Sequence, residues 1–223
     1  MKRLLCFTIV AAFSVACNAI DCNNNRCTGS GAVHTLCKYK DPNPSRNCGK
    51  VMAVAFSDAE KNEMVKAHND FRRRVASGLE GRGSPGPQPP AKNMQTITWD
   101  NNLAYVAQRW VNQCTFGHDA CRNDDRFYTG QNAAMTMTTG TVNTTPTDIT
   151  KMWYDEVAQM DRNQVSRFTN GNNVGHYTQL VWANTNKIGC GKIVYQNDQW
   201  KRYYVACNYG PGGNIIGAPI YQV

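Results

Sequence analysis

The chain has 223 residues, 41% of them hydrophobic and 18% charged, with ten cysteines and a formal charge of +8. That length suits one large domain or two small ones and is ample for an apolar core. The basic excess is mild. With no zinc-finger spacing, no basic–aromatic stripe and no recognition-helix pattern, nucleic acid is excluded as the expected partner.

Met1-Lys2-Arg3 is a short basic start, and Leu4 to Ala16 is a predominantly apolar run of thirteen residues. About twenty residues are needed to cross a bilayer, so the run reads as a signal peptide and not as an anchor. No later segment is apolar and long enough to span. Cutting after Ala16 leaves Cys17 in place and an odd cysteine count. Cutting after Ala19 leaves Cys22, Cys27, Cys37, Cys48, Cys114, Cys121, Cys190 and Cys207. An even count suits a secreted, disulfide-bonded chain, so residues 1–19 are the expected leader. Its removal takes Lys2 and Arg3 and lowers the formal charge from +8 to +6. Residues 20–56 are cysteine-rich and loop-like around Asp41-Pro42-Asn43-Pro44, a disulfide-stapled extension before a main domain over 57–223.

A first helix begins at Ser57, where Ser57-Asp58-Ala59-Glu60 has capping-box spacing. Val65, His68, Phe71, Arg72 and Val75 share one of its faces, which turns His68 to the core. Asn69 and Arg72 are the expected partners of that histidine. Arg72-Arg73-Arg74, the one dense cationic run, reads as a solvated helix face. Gly78 ends the helix, and residues 81–93 form an irregular Pro/Gly loop. A second helix follows Asp100 as N-cap, with Leu103, Ala104, Val106, Ala107, Trp110, Val111 and Cys114 on its apolar face. The loop beyond it carries His118 and Cys121. Gln131 to Met135 reads as the start of a strand.

Asn143-Thr144-Thr145 is a glycosylation sequon in a polar loop. A third helix is expected from Pro146 to about Met160, capped by Thr145, with Pro146 in the first turn where a missing N–H costs nothing. Ile149, Met152, Trp153, Val157 and Met160 form its apolar face. Glu156 falls on that face and Asp155 outside it. Polar Thr178 and Gln179 interrupt the apolar run after His176, and strand alternation would put His176 and Thr178 on one side. Ile188–Tyr195 and Tyr203–Tyr209 flank a turn at Asn197-Asp198-Gln199. A hairpin centred between Asp198 and Gln199 sets Cys190 opposite Cys207, a cross-strand disulfide closing a loop worth about 3 kcal/mol in the chain-entropy model. The other cysteines allow no such derivation, since eight of them permit 105 pairings.

The sequence holds no HExxH, GxSxG, Walker loop or GxGxxG. Glu156 is the sharpest candidate for chemistry. A carboxylate on a buried helix face costs several kcal/mol unless it is paired, protonated or metal-bound.

Gly175-His176-Tyr177-Thr178-Gln179-Leu180-Val181-Trp182-Ala183-Asn184-Thr185 resembles the first signature of the CAP superfamily, which unites cysteine-rich secretory proteins, antigen-5 allergens and pathogenesis-related proteins. Tyr204-Val205-Ala206-Cys207-Asn208-Tyr209-Gly210-Pro211-Gly212-Gly213-Asn214-Ile215 is similar to the second. Further matches, such as His68-Asn69-Asp70-Phe71-Arg72 and Pro85 to Met94, extend the likeness over the mature chain and toward the antigen-5 group of hymenopteran venom allergens. The resemblance implies an α+β fold, a three-layer α-β-α sandwich around a mostly antiparallel sheet. It also implies four disulfides: Cys22–Cys37, Cys27–Cys121, Cys48–Cys114 and Cys190–Cys207. It implies an open cleft with His118, His176 and Glu156. The position of a second acid in that cleft is Gln131 here, which removes a charge that would hold a cation.

These features support three expectations. The first is a secreted, monomeric, non-enzymatic binding protein of the antigen-5 type, acting on an unknown host protein or small ligand. The second is a carrier of fatty acids or sterols, although residues 136–147 lack the aromatic side chains a sterol loop would use. The third is a metal-dependent hydrolase in which Glu156 serves as base beside His118 and His176. No cofactor is required by the first two, and any zinc would bind weakly.

Overall fold

The structure, a computed structural model, describes residues 20–23, 26–27, 31–169 and 173–223. The leader expected over 1–19 lies outside the described residues. Where a segment is governed by its near neighbours, it folds as its sequence predicts. The Ser57 side chain accepts the Glu60 N–H, and the Glu60 carboxylate accepts the Ser57 N–H at 2.8 Å, which starts helix α2 (Asp58–Ala76). Asp100 accepts the N–H groups of Asn102 and Leu103 and starts α3 (Asn101–Val111), whose Leu103, Val106, Ala107, Trp110 and Val111 are buried. Cys114, expected on that face, lies past the helix end at φ 53°. Thr145 and Asp148 cap α4 (Pro146–Tyr154) reciprocally, with Pro146 in the first turn.

Four expectations are corrected. Helix α4 ends at Tyr154 and not near Met160, because Asp155–Gln159 tightens into a 3-10 turn. Met152, expected on the apolar face, is exposed, while Ile149, Trp153, Val157 and Met160 are buried. Gly175–Leu180 is a short helix, α5, and not a strand. Lastly, the extension is not all loop. It contributes helix α1 (Thr35–Lys38) and strand β1 (Lys50–Val54), which pairs antiparallel with β4 (Lys187–Asn197).

The sheet runs in the order β1-β4-β5-β3, where β3 is Gly130–Thr138 and β5 is Trp200–Gly210. A two-residue strand β2 (Thr98–Trp99) adds a parallel pairing at the start of β4, and the remaining pairings are antiparallel. In the β4–β5 hairpin Cys190 faces Cys207 and Asn197 faces Trp200, the register expected from the turn at Asp198-Gln199. Along β5 the side chains alternate with a period of two. Tyr203, Val205, Cys207 and Tyr209 pack in the core under α2, α4 and α5, whereas Tyr204 and Ala206 pack with Trp110 of α3 on the other face. Two glycines let α3 lie close to the sheet. A Cβ on Gly189 would sit 2.1 Å from the Ala104 nitrogen, and one on Gly191 would sit 2.4 Å from the Gln108 Cα. The result is the three-layer sandwich expected from the resemblance. All four disulfides join the expected cysteines: Cys22–Cys37, Cys27–Cys121, Cys48–Cys114 and Cys190–Cys207. No helix among the described residues is long and apolar enough to cross a membrane.

Arg72 departs from the solvated reading of the Arg72-Arg73-Arg74 run. It is 1% exposed, although its neighbours Arg73 and Arg74 face solvent. Its guanidinium donates to the backbone carbonyls of Gln95, Leu180, Trp182, Ala183 and Thr185. His68 does not use Asn69 or Arg72. It is bound to the Met64 carbonyl at 2.8 Å and the Tyr209 hydroxyl at 2.9 Å, while Asn69 holds the Ile97 backbone through both its N–H and carbonyl.

Candidate functional site

Glu156 organises the cleft. One carboxylate oxygen accepts the backbone N–H groups of His176 (2.9 Å) and Tyr177 (3.0 Å). These are unpaired donors at the start of α5, and a carboxylate there satisfies them and complements their partial positive charge. The other oxygen lies 2.6 Å from His176 Nδ1. The acid picked out on a helix face is therefore tied to the histidine of the first signature, twenty residues later in the chain. The Trp153 ring stacks on the His176 ring with centroids 6.1 Å apart and planes inclined by 22°, fixing the imidazole from one side.

His118 sits across the same cleft. Its Nδ1 lies 2.7 Å from Gln131 Oε1. The amide orientation follows from its other end, since Gln131 Nε2 donates to Asn208 Oδ1 at 2.9 Å and to Asp119 Oδ1 at 3.2 Å. With Oε1 as acceptor, His118 Nδ1 carries the proton and the Nε2 lone pair is left open. The carboxylate behind His176 imposes the same tautomer there. Both histidines are thus oriented through Nδ1, the arrangement that prepares an imidazole Nε2 to act as a ligand.

The cleft, of about 420 Å³, is lined by His118, Gln131, Asn132, Glu156, Asn173, Gly175, His176 and Asn214. All four expected site residues meet in it. Among the described residues, however, no group of three or more His, Cys, Asp or Glu side chains is arranged to hold a metal ion. Glu156 stands behind His176 instead of beside it. Asn143, the sequon residue, is exposed in the loop between β3 and α4.

Sequence reasoning missed the asparagines. Asn132 on β3 donates to the His176 carbonyl at 3.0 Å and to the Tyr209 hydroxyl at 3.2 Å. The hydroxyl reaches buried His68, so a hydrogen-bonded line runs from the core to the cleft. Asn214 accepts from Thr178 Oγ1 at 2.7 Å and donates to the Gly175 carbonyl at 2.9 Å. Gln179 Oε1 accepts the Gly213 N–H at 2.9 Å, and Thr185 Oγ1 donates to the Pro211 carbonyl at 2.7 Å. The polar residues that interrupt the first motif thus stitch it to the second. Polar side chains inside two apolar motifs were the available signal, because such groups must find partners when buried.

Residues 65–209 match the CAP family, described as the cysteine-rich secretory protein family. The chain is 51% identical over 207 residues to venom allergen 3 of Solenopsis invicta, covering 91% of this chain and 88% of that one. It is 49% identical over 196 residues to venom allergen 5 of Vespula maculifrons, covering 86% and 94%. Among solved structures, that of NaASP2 with Zn2+ is similar, with a TM-score of 0.62 and 32% identity over 74% of this chain and 86% of that one.

Proposed function

The chain belongs to the CAP family of cysteine-rich secretory proteins, and from that premise we propose that it is an extracellular, non-enzymatic binding protein of the venom allergen type. The observation that carries the reading is the engagement of Glu156. Both oxygens are held by α5 and by the His176 ring. A hydrolase would need this carboxylate to take a proton from water, which would weaken the bonds it accepts from the start of α5 and from the His176 ring. The cleft is built to hold its shape and present groups to a partner.

A second reading is favoured by the two oriented imidazoles. His118 and His176 would offer Nε2 to a divalent cation, with water filling the other positions and Gln131 and Glu156 holding the rings. Two neutral nitrogens without a ligating carboxylate make a weak site. The relative solved with Zn2+ makes that ion the first to try.

Zinc calorimetry on the purified chain tests both readings. Weak, saturable heats are expected for the wild type and none for His176→Ala. Gln131→Glu, which sets a charge behind His118, is expected to bind about tenfold tighter. Identical heats for wild type and His176→Ala would remove the metal site. Zinc-dependent ester hydrolysis abolished by Glu156→Gln would overturn the non-enzymatic reading. Native mass spectrometry separates it from a lipid carrier, because a copurifying fatty acid or sterol mass would replace it.

A further inference from the structure

Many of the exposed cations have a carboxylate partner: Lys61 and Asp58, Lys66 and Asp70, Arg82 and Asp155, Arg126 and Asp100, Lys151 and Asp155. The extension gathers three that do not. Lys38, Lys40 and Arg46 line an open groove of about 350 Å³ together with Tyr39, Asp41 and Asn43. All three cations are exposed, and none forms an ion pair with a carboxylate among the described residues. The one acid in the groove is turned into its own loop, where Asp41 Oδ1 accepts the Asn43 backbone N–H and side-chain amide, each at 2.9 Å.

The groove is also held rigid. Beneath it, buried Arg109 donates to the carbonyls of Tyr39 and Lys40 and to the Tyr105 hydroxyl, adding a fourth positive charge. Ser45 N–H donates to the Asn112 carbonyl at 2.7 Å, and Asn112 Nδ2 donates to the Pro42 carbonyl at 2.8 Å. The loop is bounded by Cys37, bonded to Cys22, and by Cys48, bonded to Cys114. A pinned backbone need not be ordered when an anion binds, so only the side-chain rotamers are fixed, which favours a specific anion site over diffuse attraction.

We propose that this groove binds a sulfated polysaccharide, with Lys38, Lys40 and Arg46 contacting successive sulfate groups. Several cations along one groove match an extended polyanion whose charges recur along a chain. An anionic bilayer fits less well, since no large apolar side chain projects from the groove to enter the acyl region. The residues that line the groove are distinct from those that line the His118–His176 cleft.

Heparin fragments of defined length, titrated into the purified chain at about 150 mM salt, test the proposal. Replacing Lys38, Lys40 and Arg46 together by Gln is expected to weaken binding by about tenfold or more. A control with the same change in net charge, Lys92→Gln, Arg162→Gln and Arg167→Gln, is expected to stay within about twofold. The single variant Arg46→Gln, at an exposed position, is expected to show an intermediate loss and guards against a folding defect in the triple variant. Equal losses in the two triple variants would overturn the proposal in favour of net charge alone. It would also be overturned if desulfated heparin, duplex DNA of equal charge or phosphatidylserine vesicles bound as tightly as heparin.

Discussion

His68 shows how a buried side chain makes the fold depend on pH. It is fully buried, and burial pushes its pKa down from 6.5 to about 4. The folded imidazole therefore stays neutral over a range in which the unfolded chain takes up a proton. Its contribution to stability is complete above about pH 6.5, is lost as the pH falls toward 4, and changes no further below that. The shift corresponds to about 3 kcal/mol. Glu80 acts lower. Bonds to Arg82 and to Tyr154 overcome its burial and hold its carboxyl at about 2, against an ordinary 4.5. Its contribution is lost as the pH falls through that lower window. Denaturant midpoints measured from about pH 7 to about pH 4 are expected to fall in the wild type. In His68→Gln that slope is expected to become shallower, leaving the part due to His34, whose burial also lowers its pKa, and the part below about pH 4.5. An unchanged slope would show that protonation of His68 is not what destabilises the fold.

At the scale of elements, the long helices and the short one are held differently. Helix α4 carries its own start signal, the reciprocal pair Thr145 and Asp148. Thr145→Ala is expected to cost about 1 kcal/mol, and Thr145→Ser to recover most of it, as thermal unfolding would show. A wild-type melting temperature in the alanine variant would mean that packing alone holds α4. Helix α5 has no such local cap, since Val174 offers no side-chain acceptor. Its first N–H groups are satisfied by Glu156 from another element. That difference explains why α4 was legible in the sequence to within its last turn, while Gly175–Leu180 read as a strand. The α4 end was misplaced for a related reason. An apolar stripe continues to Met160, but the turn after Tyr154 is set by where Glu156 must reach.

At the scale of the whole molecule, Arg72 joins parts of the chain that share no secondary structure. Its fork ties α2 to the carbonyl of Gln95 and to the chain from Leu180 to Thr185, directly after α5. Burial lowers its pKa to about 9, so it remains charged at neutral pH. Arg72→Lys keeps a charge but cannot reach five carbonyls from a planar fork, leaving several of them buried and unpaired. A loss of about 3 kcal/mol or more in urea unfolding is expected, with α5 and the cleft loosened together. A loss below about 1 kcal/mol would show that water replaces the guanidinium at little cost. The candidate site was likewise only half legible. His118, His176, Glu156 and Gln131 line one cleft, and motif and periodicity mark each of them in the sequence. Their roles were not, because a tautomer depends on which atom a partner across the cleft presents.

Interactions between near neighbours could be derived from the sequence alone: the capping boxes at Ser57 and Thr145, the Asp100 cap, and the hairpin register that pairs Cys190 with Cys207. Each closes over a few residues or one turn, so spacing along the chain is enough to specify it. The motif likeness extended that reach to the three-layer fold and the remaining disulfides. Only the tertiary structure decided that Arg72 lies inside, that Gly175–Leu180 coils, and that Glu156 stands behind His176 as its support. In each of these a buried or partly buried polar group must be satisfied, and its partner is brought near by the packing of the sheet and helices rather than by its distance along the chain.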